Sequence, residues 1–181
     1  TLLSLVNDLL DFSKIECGKM EILPVEYEVA NVLTEVINMI EIKAVNKRLE
    51  FKAIVAEDIP YLLFGDEIRL KQVMINLLTN AVKYTEEGSV ILKVDWKEAG
   101  DSAIQLIVSV TDTGMGIPDV KKAMEPLYTT DTTGERSGMG FTFMEAFMDS
   151  VEVESELGKG TRVRMKKAVG KGRDIWTTQS L

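Results

Sequence analysis

Residues 89 to 112 constrain this chain more than any other stretch. Two apolar runs, "SVILKVDWKE" and "AIQLIVSVT", flank Gly100-Asp101, and they read as two strands joined by a turn. The second run ends on Asp112, and the backbone then turns bare: "VTDTGMGIPD" sets Gly114 and Gly116 just after a carboxylate. Alone, Asp112-x-Gly114-x-Gly116 is a turn with an aspartate cap. The same residues can hold a hydrogen-bond acceptor at a strand end, beside glycines that let a flat ring approach the backbone. The rest of the chain has to decide between these readings.

Along the chain, "TLLSLVNDLLDFSKIE" places Leu2, Leu5, Leu9 and Phe12 on one helical seam, with Gly18 as its stop. "MEILPVEY" is expected to be extended, because Pro24 bars a helix. Val29, Val32, Leu33, Val36, Ile37 and Ile40 recur at helical spacing, and "LEFKAIV" alternates as a strand does. Pro60 and Gly65 punctuate a connection; Asp66 then caps a helix expected to reach about Lys83. Residues 119 to 137 are polar and read as a mobile loop. "GMGFTFMEAFMDS" reads as a helix opening on two glycines, and "VEVESELGKGTRVRMKK" as a hairpin around Gly158-Lys159-Gly160. This order predicts an α+β fold, a mixed and mainly antiparallel sheet with helices on one face, with the first helix outside it. The expected divisions are 1–18 for that helix, 19–28 for a linker, 29–167 for the main domain and 168–181 for a tail.

Charge narrows the function. With 21 basic and 29 acidic residues among 181, the net charge is −8, which argues against a nucleic-acid binder but not against a local anion site. Cys17 is the only cysteine, so neither an internal disulfide nor a cysteine zinc cluster is available, in keeping with a reducing compartment such as the cytoplasm. The sequence shows no secretory signal and no run long enough to span a bilayer. It begins mid-pattern, as expected for a fragment of a longer protein, one that is membrane-attached in one reading. It contains no histidine, so no step within it can use imidazole.

Four stretches carry candidate chemistry. In "NLLTNAVKY", Asn76 and Asn80 share a helix face and Lys83 lies near it, while Met74, Ile75, Leu77, Leu78 and Val82 make the other faces apolar. Amide oxygens at the edge of a buried helix suit a hard cation such as Mg²⁺, and a lysine there suits phosphate. A solvated polar stripe is the plainer reading of the pair alone. Asp112-x-Gly114-x-Gly116 is the second stretch. Gly138-Met139-Gly140 is the third, a helix start whose N–H groups and dipole favour phosphate, with Arg136 just before it to close on phosphate or to face solvent. The fourth, Gly158-x-Gly160-Thr161, is a hairpin turn if taken alone.

In order and spacing, the four resemble the N, G1, G2 and G3 boxes of the ATPase superfamily that contains gyrase, MutL, the heat-shock chaperones of the ninety-kilodalton class and the histidine kinases. The likeness runs from about Val29 to Lys167. It implies a Bergerat-type two-layer α/β sandwich. It also implies that Asp112 receives the adenine amine with Thr161 in support, and that Asn80 holds Mg²⁺ with Asn76 beside it. Lys83 and the Gly138/Gly140 helix start would cradle phosphates, with residues 119 to 137 as an ATP lid. Tyr84, Ile117, Ser137 and Met139 flank the boxes and join the expected nucleotide contacts. Asn76, Lys83 and Arg136 are the residues expected to act in catalysis.

"VNDLLDFSKIECGKMEI" and "GDEIRLKQVMINLLTNAVKYTEEGSV" are similar to the dimerisation-helix exit and N box of bacterial sensor histidine kinases. Those enzymes carry the phosphoacceptor histidine upstream, on the dimerisation domain. The expected partners are therefore ATP, that histidine domain, a response-regulator receiver, and a second copy through the N-terminal helix. "MEPLYTTDTTGERSGMGFTFMEAFMDSVEVESELGKGTRVRMKK" is closer to the anti-sigma-factor serine kinases of sporulating bacteria. That branch has a glutamate where this chain has Asn76, and an amide cannot accept a proton as a carboxylate can. The leading expectation is a histidine-kinase catalytic domain using ATP and Mg²⁺. The alternatives are a serine kinase and a non-catalytic nucleotide-binding module; whether the mixture is natural or a chimera stays open.

Overall fold

The computed structural model describes residues 10, 13–15, 17–19, 21–126, 128 and 138–172. Most of the leucine seam, Arg136, Ser137 and the end of the tail lie outside the described residues. Among those that are described, Ile15 is half-buried and packs against the core.

The core begins with two long helices. Helix α1, Val29–Asn46, buries Val29, Val32, Leu33, Val36, Ile40 and Ala44, one stripe at helical spacing. It ends in a Schellman turn, with Leu49 N–H donating to Ala44 O (2.9 Å) and Arg48 N–H to Val45 O (2.9 Å). Helix α2, Glu67–Tyr84, starts where the Asp66 carboxylate accepts Arg69 N–H at 3.0 Å, and buries Leu70, Val73, Met74, Leu77, Leu78, Ala81 and Val82. The second Asp66 oxygen accepts Leu23 N–H at 3.0 Å and so ties the incoming chain to the helix start.

Among the described residues seven strands form one sheet: β1 Val25–Glu28, β2 Glu50–Val55, β3 Leu62–Gly65, β4 Ser89–Glu98, β5 Ala103–Asp112, β6 Ser150–Glu156 and β7 Gly160–Lys171. Their order is β1-β3-β7-β5-β4-β2, with β6 also on β7. Only the β2–β4 pair is parallel. β7 meets β5 along residues 161 to 170 on one edge and shares its other edge between β6 and β3. Alternation sets the layers. Val90, Leu92, Val94, Ile104, Leu106, Val108, Val110, Val163, Met165 and Val169 face the helices, while Lys166 meets Glu152 on the opposite side. Among the described residues two shorter helices follow α2: α3 Val120–Ala123 and α4 Gly140–Phe147. The α+β sandwich expected from the element order is the one found.

The element edges shift in five places. β3 occupies what reads in sequence as a connection, because the apolar run Leu62-Leu63-Phe64 is short and gains its ladder only from β1 and β7. β1 belongs to the sheet although residues 19–28 read as a linker, and β7 runs four residues past Lys167 into the expected tail. Turn α3 lies inside the stretch read as a loop, capped by Asp119 accepting Lys122 N–H at 3.0 Å. α4 starts at its second glycine, since Gly138 has φ +67° and so stands outside the helix. Among the described residues no helix is long and apolar enough to cross a membrane.

Arg48 is the only non-glycine residue with positive φ among those described, at +60°, in the left-handed position of the α1 cap. That conformation costs a residue with a Cβ about 1 kcal/mol. Arg48→Gly is expected to raise the urea midpoint by an amount equivalent to about 0.5–1 kcal/mol; a lowered midpoint would show that the arginine side chain supplies more than its backbone loses.

Candidate functional site

The Asp112 carboxylate organises the end of β5. Its Oδ1 accepts Gly114 N–H at 2.9 Å and Thr161 N–H at 3.2 Å. Among the described residues nothing donates to Oδ2. Burial holds this carboxyl above the usual aspartate range, and the two N–H donors partly offset the shift. Asp112 lies directly across from Thr161, and Thr161 directly across from Ser155, so the three form a row over β5, β7 and β6. Ser155 Oγ accepts Ile117 N–H at 2.7 Å, donates to Gly160 O at 3.0 Å and lies 2.9 Å from Thr161 Oγ1.

The glycines here let the chain close on itself. A Cβ on Gly114 would stand 2.6 Å from Tyr84 O, and one on Gly160, where φ is +107°, would stand 1.9 Å from Asp112 O. In sequence, the bareness after Asp112 reads as room for an approaching ring. In the structure, the space beside Gly114 and Gly116 is taken by Tyr84 O and Glu156 O of the protein itself. The glycines thus bring the end of α2 and the β6–β7 hairpin onto the Asp112 loop.

Helix α2 carries the polar pair. Asn76 and Asn80 are half-buried, and Asn80 Nδ2 donates to Asn76 Oδ1 at 3.3 Å. The first residue of α4 backs onto them: a Cβ on Gly140 would lie 3.3 Å from Asn76 Nδ2 and 3.5 Å from Asn80 Nδ2. Met139 occupies the cap position of α4 and makes no side-chain capping bond. Lys83 is exposed on the last turn of α2, and Tyr84 ends that helix. The structure therefore brings Asn76, Asn80 and Gly140 together, and Asp112, Gly114, Gly116, Ile117 and Thr161 together, with α2 linking the groups. Arg136 and Ser137 lie outside the described residues. Among those described, no three carboxylate, thiol or imidazole groups are placed to hold a metal, which leaves the amides as the candidate cation ligands.

The α2 terminus is fully partnered. Ala81 O accepts from Thr85 N–H (3.2 Å) and Oγ1 (2.8 Å), and Tyr84 O from Met115 N–H (3.3 Å). Lys47, from the end of α1, donates its Nζ to Val82 O at 3.1 Å and Lys83 O at 2.6 Å. These are the four carbonyls a helix leaves without partners of its own, and a cation at that end also suits the dipole. Sequence reasoning missed Ser155, Lys47 and Thr85. Each is an ordinary polar residue whose role comes from a partner on another element.

A hollow of about 330 Å³ at the strand ends is lined by Asp112, Ser155, Gly160 and Thr161 together with Thr111, Glu154 and Arg162, which alternate toward the helix-free side. Asn76 and Gly140 do not line it. Two hairpin glycines test the closure. Gly160→Ala is expected to cost roughly 2–4 kcal/mol through its clash with Asp112 O, whereas Gly158→Ala, with open space around it, should cost only about 1 kcal/mol. Urea unfolding of both variants measures the difference.

Residues 65–170 match the family described as histidine kinase-, DNA gyrase B- and HSP90-like ATPase. The chain is 29% identical to the sensor histidine kinase GacS of Pseudomonas protegens, over 100% of this chain and 20% of that protein. It is 34% identical to the sensor histidine kinase RcsC of Escherichia coli, over 91% of this chain and 18% of that protein. It thus spans about a fifth of the length of these relatives. The full-length ShkA crystal structure in complex with AMPPNP superposes with a TM-score of 0.80 and 30% identity, covering 96% of this chain and 37% of that one. The GacS match takes in the C-terminal stretch as well, so the serine-kinase alternative is not favoured. The chain belongs to the histidine kinase-, DNA gyrase B- and HSP90-like ATPase family.

Proposed function

We propose that this domain binds Mg·ATP and presents the γ-phosphoryl group to a histidine on a separate dimerisation domain, with a response-regulator receiver as the next acceptor. The observation that carries the reading is the free acceptor Oδ2 of Asp112, beside a loop whose Thr113, Gly114, Met115 and Ile117 N–H groups are already paired within the protein. The names of the relatives and the AMPPNP-bound neighbour support ATP as the ligand and histidine as the acceptor.

The residues fit that ligand. Asp112 Oδ2 would take the exocyclic amine of adenine. The first-turn N–H groups of α4, which lack a side-chain cap, would face phosphate, with Lys83 adding charge. Asn76 Oδ1 is already engaged by Asn80 Nδ2, so Asn80 Oδ1 is the better cation ligand of the pair. A magnesium ion there would offset phosphate charge. Asn76 would hold Asn80 in orientation. Phosphoryl transfer asks the protein mainly for positioning and charge compensation, which these groups can supply without an internal base.

Calorimetric titration with a non-hydrolysable ATP analogue tests the reading. Asp112→Asn is expected to weaken binding at least tenfold, since an amide turned toward the amine offers a donor to a donor. Asn80→Ala should remove most of the dependence on Mg²⁺. Unchanged affinity in Asp112→Asn would sink the proposed base site. Protonation supplies a further test. Because burial raises the Asp112 pKa, analogue affinity should begin to fall at pH values above the ordinary aspartate range of about 4, as the acceptor oxygen gains a proton. The sign for stability is opposite. A carboxyl raised in the folded state binds its proton more tightly folded than unfolded, so its contribution to stability rises on acidification through that window.

A further inference from the structure

We infer that Ser155 is a specificity-determining positioning residue, fixing the Thr161 hydroxyl as an acceptor so that the site selects a purine with an exocyclic amine over one with a carbonyl. The inference rests on the proposed reading of Asp112 as the base site. It starts from hydrogen-bond capacity. A serine hydroxyl has one proton to give. Ser155 Oγ meets three partners: Ile117 N–H at 2.7 Å, which can only donate; Gly160 O at 3.0 Å, which can only accept; and Thr161 Oγ1 at 2.9 Å. With the serine proton on Gly160 O, Thr161 must donate its own proton to Ser155. The chain Thr161 O–H to Ser155 O–H to Gly160 O then runs one way, and each bond polarises the next.

This fixes what Thr161 can offer a ligand. Its proton is spent, so Oγ1 presents lone pairs only. Thr161 also sits beside Asp112, donating its backbone N–H to Oδ1 at 3.2 Å, and the strand register places the two residues directly opposite each other. The ligand side of the row therefore holds two acceptors, Asp112 Oδ2 and Thr161 Oγ1. An amine with two protons satisfies both. A carbonyl at that position meets two lone-pair sites; even where the ring N1–H that accompanies it turns to one of them, the carbonyl oxygen and the other acceptor stay without a donor, a penalty of the size that separates substrates tenfold or more. The three bonds of the Ser155 hydroxyl use its whole capacity, one proton given and two accepted, so none is left for the base. Ser155 acts through Thr161, and through Ile117 it also holds the glycine loop against β6.

The test compares ADP with inosine diphosphate, which carries a carbonyl in place of the amine, by calorimetry on the chain and on Ser155→Ala. The original chain is expected to prefer ADP. In Ser155→Ala the Thr161 hydroxyl loses its acceptor and can turn its proton toward the ligand, so ADP should weaken, inosine diphosphate should not, and the preference should narrow by roughly tenfold. Equal weakening of both nucleotides would assign Ser155 a structural role only and overturn the inference. Where Ser155→Ala fails to fold, Thr161→Val serves instead. It removes the acceptor while leaving the Ser155 bonds to Ile117 and Gly160, and it should weaken ADP alone; equal weakening again overturns the inference. Asp112→Asn separates the two levels. If ADP binds that variant normally, or fails to bind the original chain, the base-site reading falls and this inference with it. If binding depends on Asp112 but the preference survives Ser155→Ala, only this inference falls.

Discussion

The site depends first on one oxygen. Asp112 Oδ1 takes two backbone N–H groups, from Gly114 in its own loop and from Thr161 on β7. That double bond count joins the end of β5 to the start of β7 and fixes the carboxylate rotamer, so the second oxygen is aimed without further help. Burial alone would favour the protonated acid, and the two N–H donors favour the anion. A half-buried carboxylate with two N–H donors on one oxygen and none on the other is suited to accept a hydrogen bond from a ligand rather than only to close a turn.

The second constraint is the seating of α2. Its last four carbonyls all find partners outside the helix, from Thr85, Lys47 and Met115. The helix is thereby locked at one end to α1 and to the Asp112 loop, while its middle presents Asn76 and Asn80 to Gly140. The base end and the phosphate end of the proposed site are thus set by one rigid element. Pre-set groups of this kind cost no reorganisation when a charged ligand arrives.

Glycine has two uses in this chain. Gly114 and Gly160 are required because backbone oxygens stand where their Cβ atoms would be, whereas Gly158 and Gly100 have open space and serve turns. The motif pattern does not distinguish these roles. Both kinds appear in sequence as single glycines next to polar residues.

Much of the fold was legible because periodicity is a local signal. The apolar stripes of α1 and α2, the cap at Asp66, and the alternation of β4 and β5 all follow from neighbouring residues. The residues of the candidate site were legible as types in an order: two amides four apart, a carboxylate before two glycines, a glycine helix start, and a hairpin threonine. Other features were not. β3 is four residues long and becomes a strand only between β1 and β7. Lys47 reads as a surface lysine until α2 ends beside it. Ser155 reads as one polar residue in an alternating strand until the β5–β7–β6 register sets it against Thr161 and Ile117. The sequence by itself determined which groups can donate, accept or bend, because those are properties of each residue and its neighbours. The tertiary structure decided which lone pairs remain unpaired and face a ligand, because that depends on partners tens of residues away.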